Sequence, residues 1–178
     1  AITQDKYGYM WFAEGGNNNR IIRFDGYKMK SYNYDPSDSN SLDRAGNECI
    51  AADATGCIWT NAATGVDKFD PITNKFIHYR YKQGEVRGVQ AILIDHLGIV
   101  WLGTDKGLDR LDQKTGEFIH YTRKDNGLSC DTVRCLYEDR EGVLWLGTGW
   151  EFDQYGKEGG LNRLNRETGK FTSFVNDP

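Results

Sequence analysis

The chain has 178 residues, the length of a single domain, and carries 22 Lys+Arg against 26 Asp+Glu for a formal charge of -4. That mild acidity argues against a nucleic-acid footprint and a polybasic membrane patch, and no apolar run nears the roughly 18 residues of a membrane span. Aromatic residues at 13% with 21 Gly and only 3 Pro fit an all-β chain with many turns better than a helical bundle.

In chain order, four similar units follow one another. Trp11, Trp59, Trp101 and Trp145 stand 48, 42 and 44 residues apart. Each follows a glycine by three residues (Gly8, Gly56, Gly98, Gly142) and an aspartate by six (Asp5, Asp53, Asp95, Asp139). The second half of the unit recurs too, in Gly65-Val-Asp-Lys-Phe-Asp70, Gly107-Leu-Asp-Arg-Leu-Asp112 and Gly160-Leu-Asn-Arg-Leu-Asn165, with a degenerate first copy at Arg20-Ile-Ile-Arg-Phe-Asp25. Each unit reads as four short strands, A to D. In the third, strand A is Val89–Ile94, strand B Ile99–Leu102, strand C Leu108–Leu111 and strand D Phe118–Tyr121. Asp and Gly make the A–B turn, because the Asp side chain bonds the following backbone and Gly accepts a positive φ. No segment shows a sustained period of 3.6, so no helix is expected.

Four-stranded units of this length are propeller blades, expected at about 1–34, 45–81, 89–122 and 133–175. One small sheet cannot cover its own apolar faces, whereas stacked sheets can. The four Trp residues are therefore expected as wedges between blades, and the four Asp residues as turn formers with no part in catalysis. The opening residues lack the start of strand A and no signal-peptide pattern precedes them, while 175–178 read as a loop toward a further strand. The four blades are accordingly expected to form part of a larger propeller. Two such arcs could also pair into an eight-bladed dimer.

The motif Asp-x-x-Gly-x-Leu/Val-Trp-Leu-Gly-Thr, followed by Gly-Leu-x-Arg-Leu-Asp and Thr-Gly-x-Phe-x-x-Tyr, resembles the two-component regulator propeller repeat. Its nearest copies run from Asp95 to Tyr121 and from Asp139 to Phe174; the copy at Asp53 departs at Asn61 and Ala62, and the first at Ala13 and Glu14. The resemblance implies a ring of the seven-bladed type and a periplasmic sensor region of a membrane-bound histidine kinase, including hybrid kinases of gut Bacteroidetes that respond to glycan fragments. Any kinase core or membrane attachment would lie in other parts of the parent protein.

Strand alternation puts A–B and C–D turns on one face and B–C and D–A connections on the other. The former are short and repeat closely. The B–C connection of the last unit runs thirteen residues, from Gly147 to Gly160, against four in the two middle units. Long connections on a rigid scaffold are where binding residues concentrate. Trp150 and Tyr155 could stack on sugar rings while Glu151, Asp153 and Gln154 bond hydroxyls. Two other uses stand beside this one: Trp150 and Phe152 covering the top of the blade, or contact with a second protein chain. The D–A loops Asp35–Ser41 and Arg123–Ser129 are expected on the same rim. Arg44, Arg87 and Arg134 either face a central channel or are solvated or ion-paired.

The three His (His78, His96, His120) show no zinc-ligand spacing, and Asp35-Pro-Ser-Asp-Ser-Asn40 lacks the Gly and the terminal Glu of a calcium loop, so no metal or cofactor is expected. Cys49, Cys57, Cys130 and Cys135 are expected as free thiols. The expected role is an extracytoplasmic, non-enzymatic sensor of a glycan-derived ligand or a dimerisation module. The rivals are a lyase or hydrolase on the same scaffold and a propeller that only binds proteins.

Overall fold

The computed structural model describes residues 1–15, 19–43, 48–149 and 159–175. They form four antiparallel four-stranded sheets, each a simple meander. The first contains β1 (Ile2–Gln4), β2 (Met10–Glu14), β3 (Arg20–Phe24) and β4 (Met29–Asn33). The second contains β5 (Ile50–Ala52), β6 (Ile58–Ala62), β7 (Gly65–Asp70) and β8 (Lys75–Arg80). The third contains β9 (Val89–Ile94), β10 (Val100–Thr104), β11 (Gly107–Leu111) and β12 (Phe118–Tyr121). The fourth contains β13 (Val133–Glu138), β14 (Leu144–Gly149), β15 (Gly159–Asn165) and β16 (Lys170–Phe174). The opening strands lie side by side, β1 against β5, β5 against β9 and β9 against β13. The sheets are propeller blades, set face to face along that inner edge.

The same turn starts every blade. In the third, Asp95 Oδ1 accepts the amides of Leu97 (3.0 Å) and Ile99 (2.8 Å), while the Gly98 amide donates to the Asp95 carbonyl at 2.8 Å. Asp5, Asp53 and Asp139 repeat the side-chain bonds at 2.9–3.0 Å. The glycines adopt φ of 76–91°, where a Cβ would strain the chain.

The first three Trp residues each face the next blade. Trp11 packs with Ile58 and Phe69, Trp59 with Val100, Leu102 and Leu111, and Trp101 with Leu144, Leu146 and Leu164. These three indoles are at most 2% exposed. Each removes roughly 200 Å² of largely apolar surface from water, on the order of 5 kcal/mol as an upper bound. Trp145 makes the same turn but is only half-buried, and it points away from the third blade.

One expectation is corrected. Residues Arg123–Asn126 form a single helical turn, α1, in the loop between β12 and β13. Thr122 caps it by accepting the Asp125 amide at 3.2 Å, and Gly127 closes it at φ 87°. Four residues cannot establish a helical period, so only the caps announced it. Among the described residues no helix is long and apolar enough to cross a membrane.

Candidate ligand-binding face

Two faces of the blades differ in construction. On the face of the A–B and C–D turns, every aspartate that shapes a turn also holds its blade's tryptophan. Indole Nε1 donates to the second carboxylate oxygen at 2.8 Å in Asp5–Trp11, Asp95–Trp101 and Asp139–Trp145, and at 2.9 Å in Asp53–Trp59. The structure thus adds to these eight residues a bond between side chains that their spacing had not been read to contain. Burial pushes the Asp95 carboxyl up, but bonds from Trp101, Arg166 and the Ile99 amide outweigh it and hold its pKa below the ordinary value.

The same face ties the third blade to the fourth. Arg166 reaches across to Asp95 at 2.6 Å and also meets Glu138 at 2.8 Å in its own blade. Glu138 in turn holds His96 of the third blade, accepting its backbone amide at 2.7 Å and lying 2.6 Å from its ring Nδ1. These carboxylates are thereby committed to holding the scaffold together.

The opposite face carries the loops, and one buried polar residue on the third strand of each of the last three blades anchors them. Asp67 on β7 accepts the amide of Asp43 from the arriving loop at 2.8 Å and pairs with His78 and Arg80, both at 2.8 Å. His78 also reaches the Ser39 carbonyl through Nε2 at 3.1 Å, and Arg80 pairs with Asp43 at 2.9 Å. On β11, Asp109 accepts from the Tyr81 hydroxyl at 2.7 Å and lies 2.7 Å from His120 Nδ1. On β15, Asn162 accepts from the Ser129 amide at 2.9 Å and from Ser173 Oγ at 2.7 Å. These anchors were missed in the sequence. Their signal was the polar residue two places after Gly65, Gly107 and Gly160, replaced in the first unit by Ile22.

Asp109, His120 and Tyr81 have the look of an acid–base grouping. Asp109 is fully buried and Tyr81 only 6% exposed, between two blades. Burial raises the Asp109 carboxyl and pushes the Tyr81 phenol far above its ordinary range. The cluster holds the loop that enters β9. Arg87, one of the candidate channel arginines, belongs to it: it donates to the Lys106 carbonyl at 3.1 Å and lies 3.7 Å from Asp109. Arg134 stands exposed on β13, and Arg44 lies outside the described residues.

Open grooves lie beside the loop between β4 and β5. One of about 470 Å³ extends from Tyr34, Asp35, Asp38 and Asn40 to Phe76 and to Asn74 in the turn between β7 and β8; another of about 250 Å³ lies against Ser39, Asp43, His78 and Arg80. They offer aromatic edges beside amides and carboxylates. Asp35 Oδ1 is occupied by the amide (2.9 Å) and hydroxyl (2.6 Å) of Ser37, which lower its pKa. No group of three or more His, Cys, Asp or Glu that could hold a metal occurs among the described residues.

The candidate ligand residues Trp150, Glu151, Asp153, Gln154 and Tyr155 lie outside the described residues. Their segment leaves the scaffold where Gly149 pairs with Gly159, at the loop-bearing end of β14 and β15. The four cysteines are free thiols, and burial pushes Cys49 up to about 11.

The two component regulator propeller family matches residues 127–150. Among solved structures, the chain is 26% identical, with a TM-score of 0.75, to the extracellular domain of a protein described as a hybrid two component system from B. thetaiotaomicron; the match covers 98% of this chain and 24% of that one. The extracellular domain of a protein described as a one component system from the same organism matches at 22% identity and TM-score 0.67, with the same coverage. A virginiamycin B lyase from Staphylococcus aureus matches at 16% identity and TM-score 0.68, over 99% of this chain and 55% of the lyase. The last two likenesses concern the fold alone. The chain thus spans about a quarter of the two extracellular domains. No curated protein matches the sequence.

Proposed function

We propose that this chain, whose residues 127–150 match the two component regulator propeller family and whose blades resemble an extracellular domain of a hybrid two component system, is an extracytoplasmic sensing module that binds a glycan-derived ligand on its loop-bearing face. The observation that carries this reading is the asymmetry between the two faces. Turns on one face repeat the same bonds in blade after blade. The B–C connections on the other lengthen from two residues between β6 and β7, or β10 and β11, to nine between β14 and β15. A rigid scaffold with one variable rim is how binding specificity is exchanged without loss of fold.

The chemistry of that rim suits a polyol. Trp150 and Tyr155 supply flat apolar surface for sugar rings, and Glu151, Asp153 and Gln154 supply hydrogen-bonding partners for hydroxyls. The likeness to an extracellular domain of a two component system supports an extracytoplasmic, periplasmic setting and a signalling role without catalysis. A lyase on this scaffold is the weaker reading, because it draws on shared fold alone. The Asp109–His120–Tyr81 cluster is accounted for by loop anchoring.

Titration calorimetry with a panel of oligosaccharides tests the proposal. A binding sugar should lose at least tenfold in affinity on Trp150→Ala. Undiminished binding in that variant removes the loop from the site, and silence across neutral and acidic glycans removes the glycan.

A further inference from the structure

Two of the loops on the variable face are tied down by the same pair of positions, facing each other across the third and fourth strands of a blade. In the second blade the pair is Asp67 and His78; in the fourth it is Asn162 and Ser173. The ties match one for one. Asp67 accepts the Asp43 amide of its loop at 2.8 Å, and Asn162 accepts the Ser129 amide of its loop at 2.9 Å. His78 Nε2 lies 3.1 Å from the Ser39 carbonyl, and Ser173 Oγ lies 2.9 Å from the Gly127 carbonyl. Within each pair the two side chains meet at 2.8 Å and 2.7 Å. The pairs differ in one respect: neither Asn162 nor Ser173 titrates in the physiological range, whereas a histidine does.

Both ring nitrogens of His78 face an acceptor, Nδ1 the Asp67 carboxylate and Nε2 the Ser39 carbonyl, so only the doubly protonated ring donates to both. The charges around it come from each packed element. Asp67 on β7 is 1% exposed. Arg80 on β8 lies 2.8 Å from Asp67, 2.9 Å from Asp43 of the loop and 2.9 Å from His78 Nδ1. Asp35 and Asp38 border the adjoining groove. Imidazolium and guanidinium together balance Asp43 and Asp67, and the neutral ring leaves one negative charge over. Loss of the Nε2 proton frees the Ser39 carbonyl. Loss of the Nδ1 proton strips buried Asp67 of a donor and draws Arg80, which also holds Asp43, toward the bare nitrogen. Either route weakens a tie between loop and blade. His120 takes the same place in the third blade, on Asp109 at 2.7 Å, but its Nε2 points to the Glu85 carboxylate at 3.9 Å and not to a loop carbonyl.

We propose that His78 is a proton-operated latch on residues 34–43: the protonated ring fastens this loop to the second blade, and the neutral ring releases it. The loop is the wall shared by the grooves of about 470 and 250 Å³, so acidity sets the shape of both. The bond to Asp67 raises the pKa of His78 against the effect of burial. The latch is therefore complete below the ordinary value of about 6.5 and is lost as pH rises through the raised value.

Amide hydrogen exchange on the 178-residue chain, corrected for the intrinsic pH dependence of exchange, tests this. The Asp43 amide reports on the latch, and the Ser129 amide, in the equivalent bond of the fourth blade, is the control. From about pH 5.5 to about pH 8.5 the protection of the Asp43 amide should fall about tenfold, while that of Ser129 should stay within about twofold. In His78→Gln, whose side chain does not titrate, the fall at Asp43 should disappear. The two loops of the unaltered protein decide the matter even if that variant does not fold. Equal protection of Asp43 at both pH values, a matching fall at Ser129, or a fall that persists in His78→Gln would each overturn the proposal.

Discussion

Trp101 and Arg166 meet on one oxygen. The indole donates to Asp95 Oδ2 at 2.8 Å from within the third blade, and the guanidinium reaches the same atom at 2.6 Å from the fourth. The ring also lies under the cation, 5.7 Å from its centre. A local turn and a contact between blades thus share one carboxylate.

Removing that carboxylate should cost more than removing the arginine. Asp95→Ala leaves a buried indole N–H without a partner and takes away the acceptor of two turn amides, a loss of about 3 kcal/mol. Arg166→Ala leaves the turn intact and, removing hydrogen bonds to charged groups that are partly screened, should cost about 1–2 kcal/mol. Urea unfolding of the two variants checks the order; equal losses would mean that the turn bonds contribute little.

Stability should also depend on pH at two separate points. The hydrogen bond to Asp67 raises the pKa of His78, against the opposing effect of burial. A raised folded-state pKa stabilises fully below the ordinary value of about 6.5 and loses that contribution as pH rises through the raised value. Asp53 and Asp95 are held below the ordinary value, so their contribution persists down to about pH 4 and disappears as pH falls further. Unfolding free energies at about pH 5.5 and 8.5 should therefore decline in the native sequence, and the decline should shrink in His78→Gln. An unchanged decline would assign it to another group.

Two glycines of the third blade should respond unequally to alanine. Gly98 has φ 76° with open space around its missing Cβ, so Gly98→Ala carries only backbone strain, about 1 kcal/mol. Gly107 has φ 121°, and a Cβ there would run into the Tyr121 carbonyl oxygen, forcing β11 and β12 apart. Gly107→Ala should cost about 3 kcal/mol or more. Thermal unfolding should fall by about 3 °C in the first and about 10 °C in the second. Similar shifts would show that the strand pair yields easily.

Much of the scaffold was legible because its determinants are local. The side chain at Asp95, the φ of Gly98 and the indole at Trp101 act within seven residues, so the turn recurs wherever that spacing recurs. The loop anchors were harder to see. Asp67 and His78 meet across a strand pair, and Ser39 reaches them from 28 residues before Asp67, a distance no local pattern spans. The turn at Arg123–Asn126 was too short to show a period.

The sequence by itself determined four blades, their turns and the side of each that bears a tryptophan, because φ preferences and short hydrogen bonds depend on neighbours along the chain. Only the tertiary structure decided what covers each of those sides. Trp11 and Trp101 sit in the same motif and make the same 2.8 Å bond, yet Ile58 and Phe69 cover the first while Leu144, Leu146 and Leu164 cover the second. Burial is set by what another sheet brings against a face, and no residue in the motif encodes it.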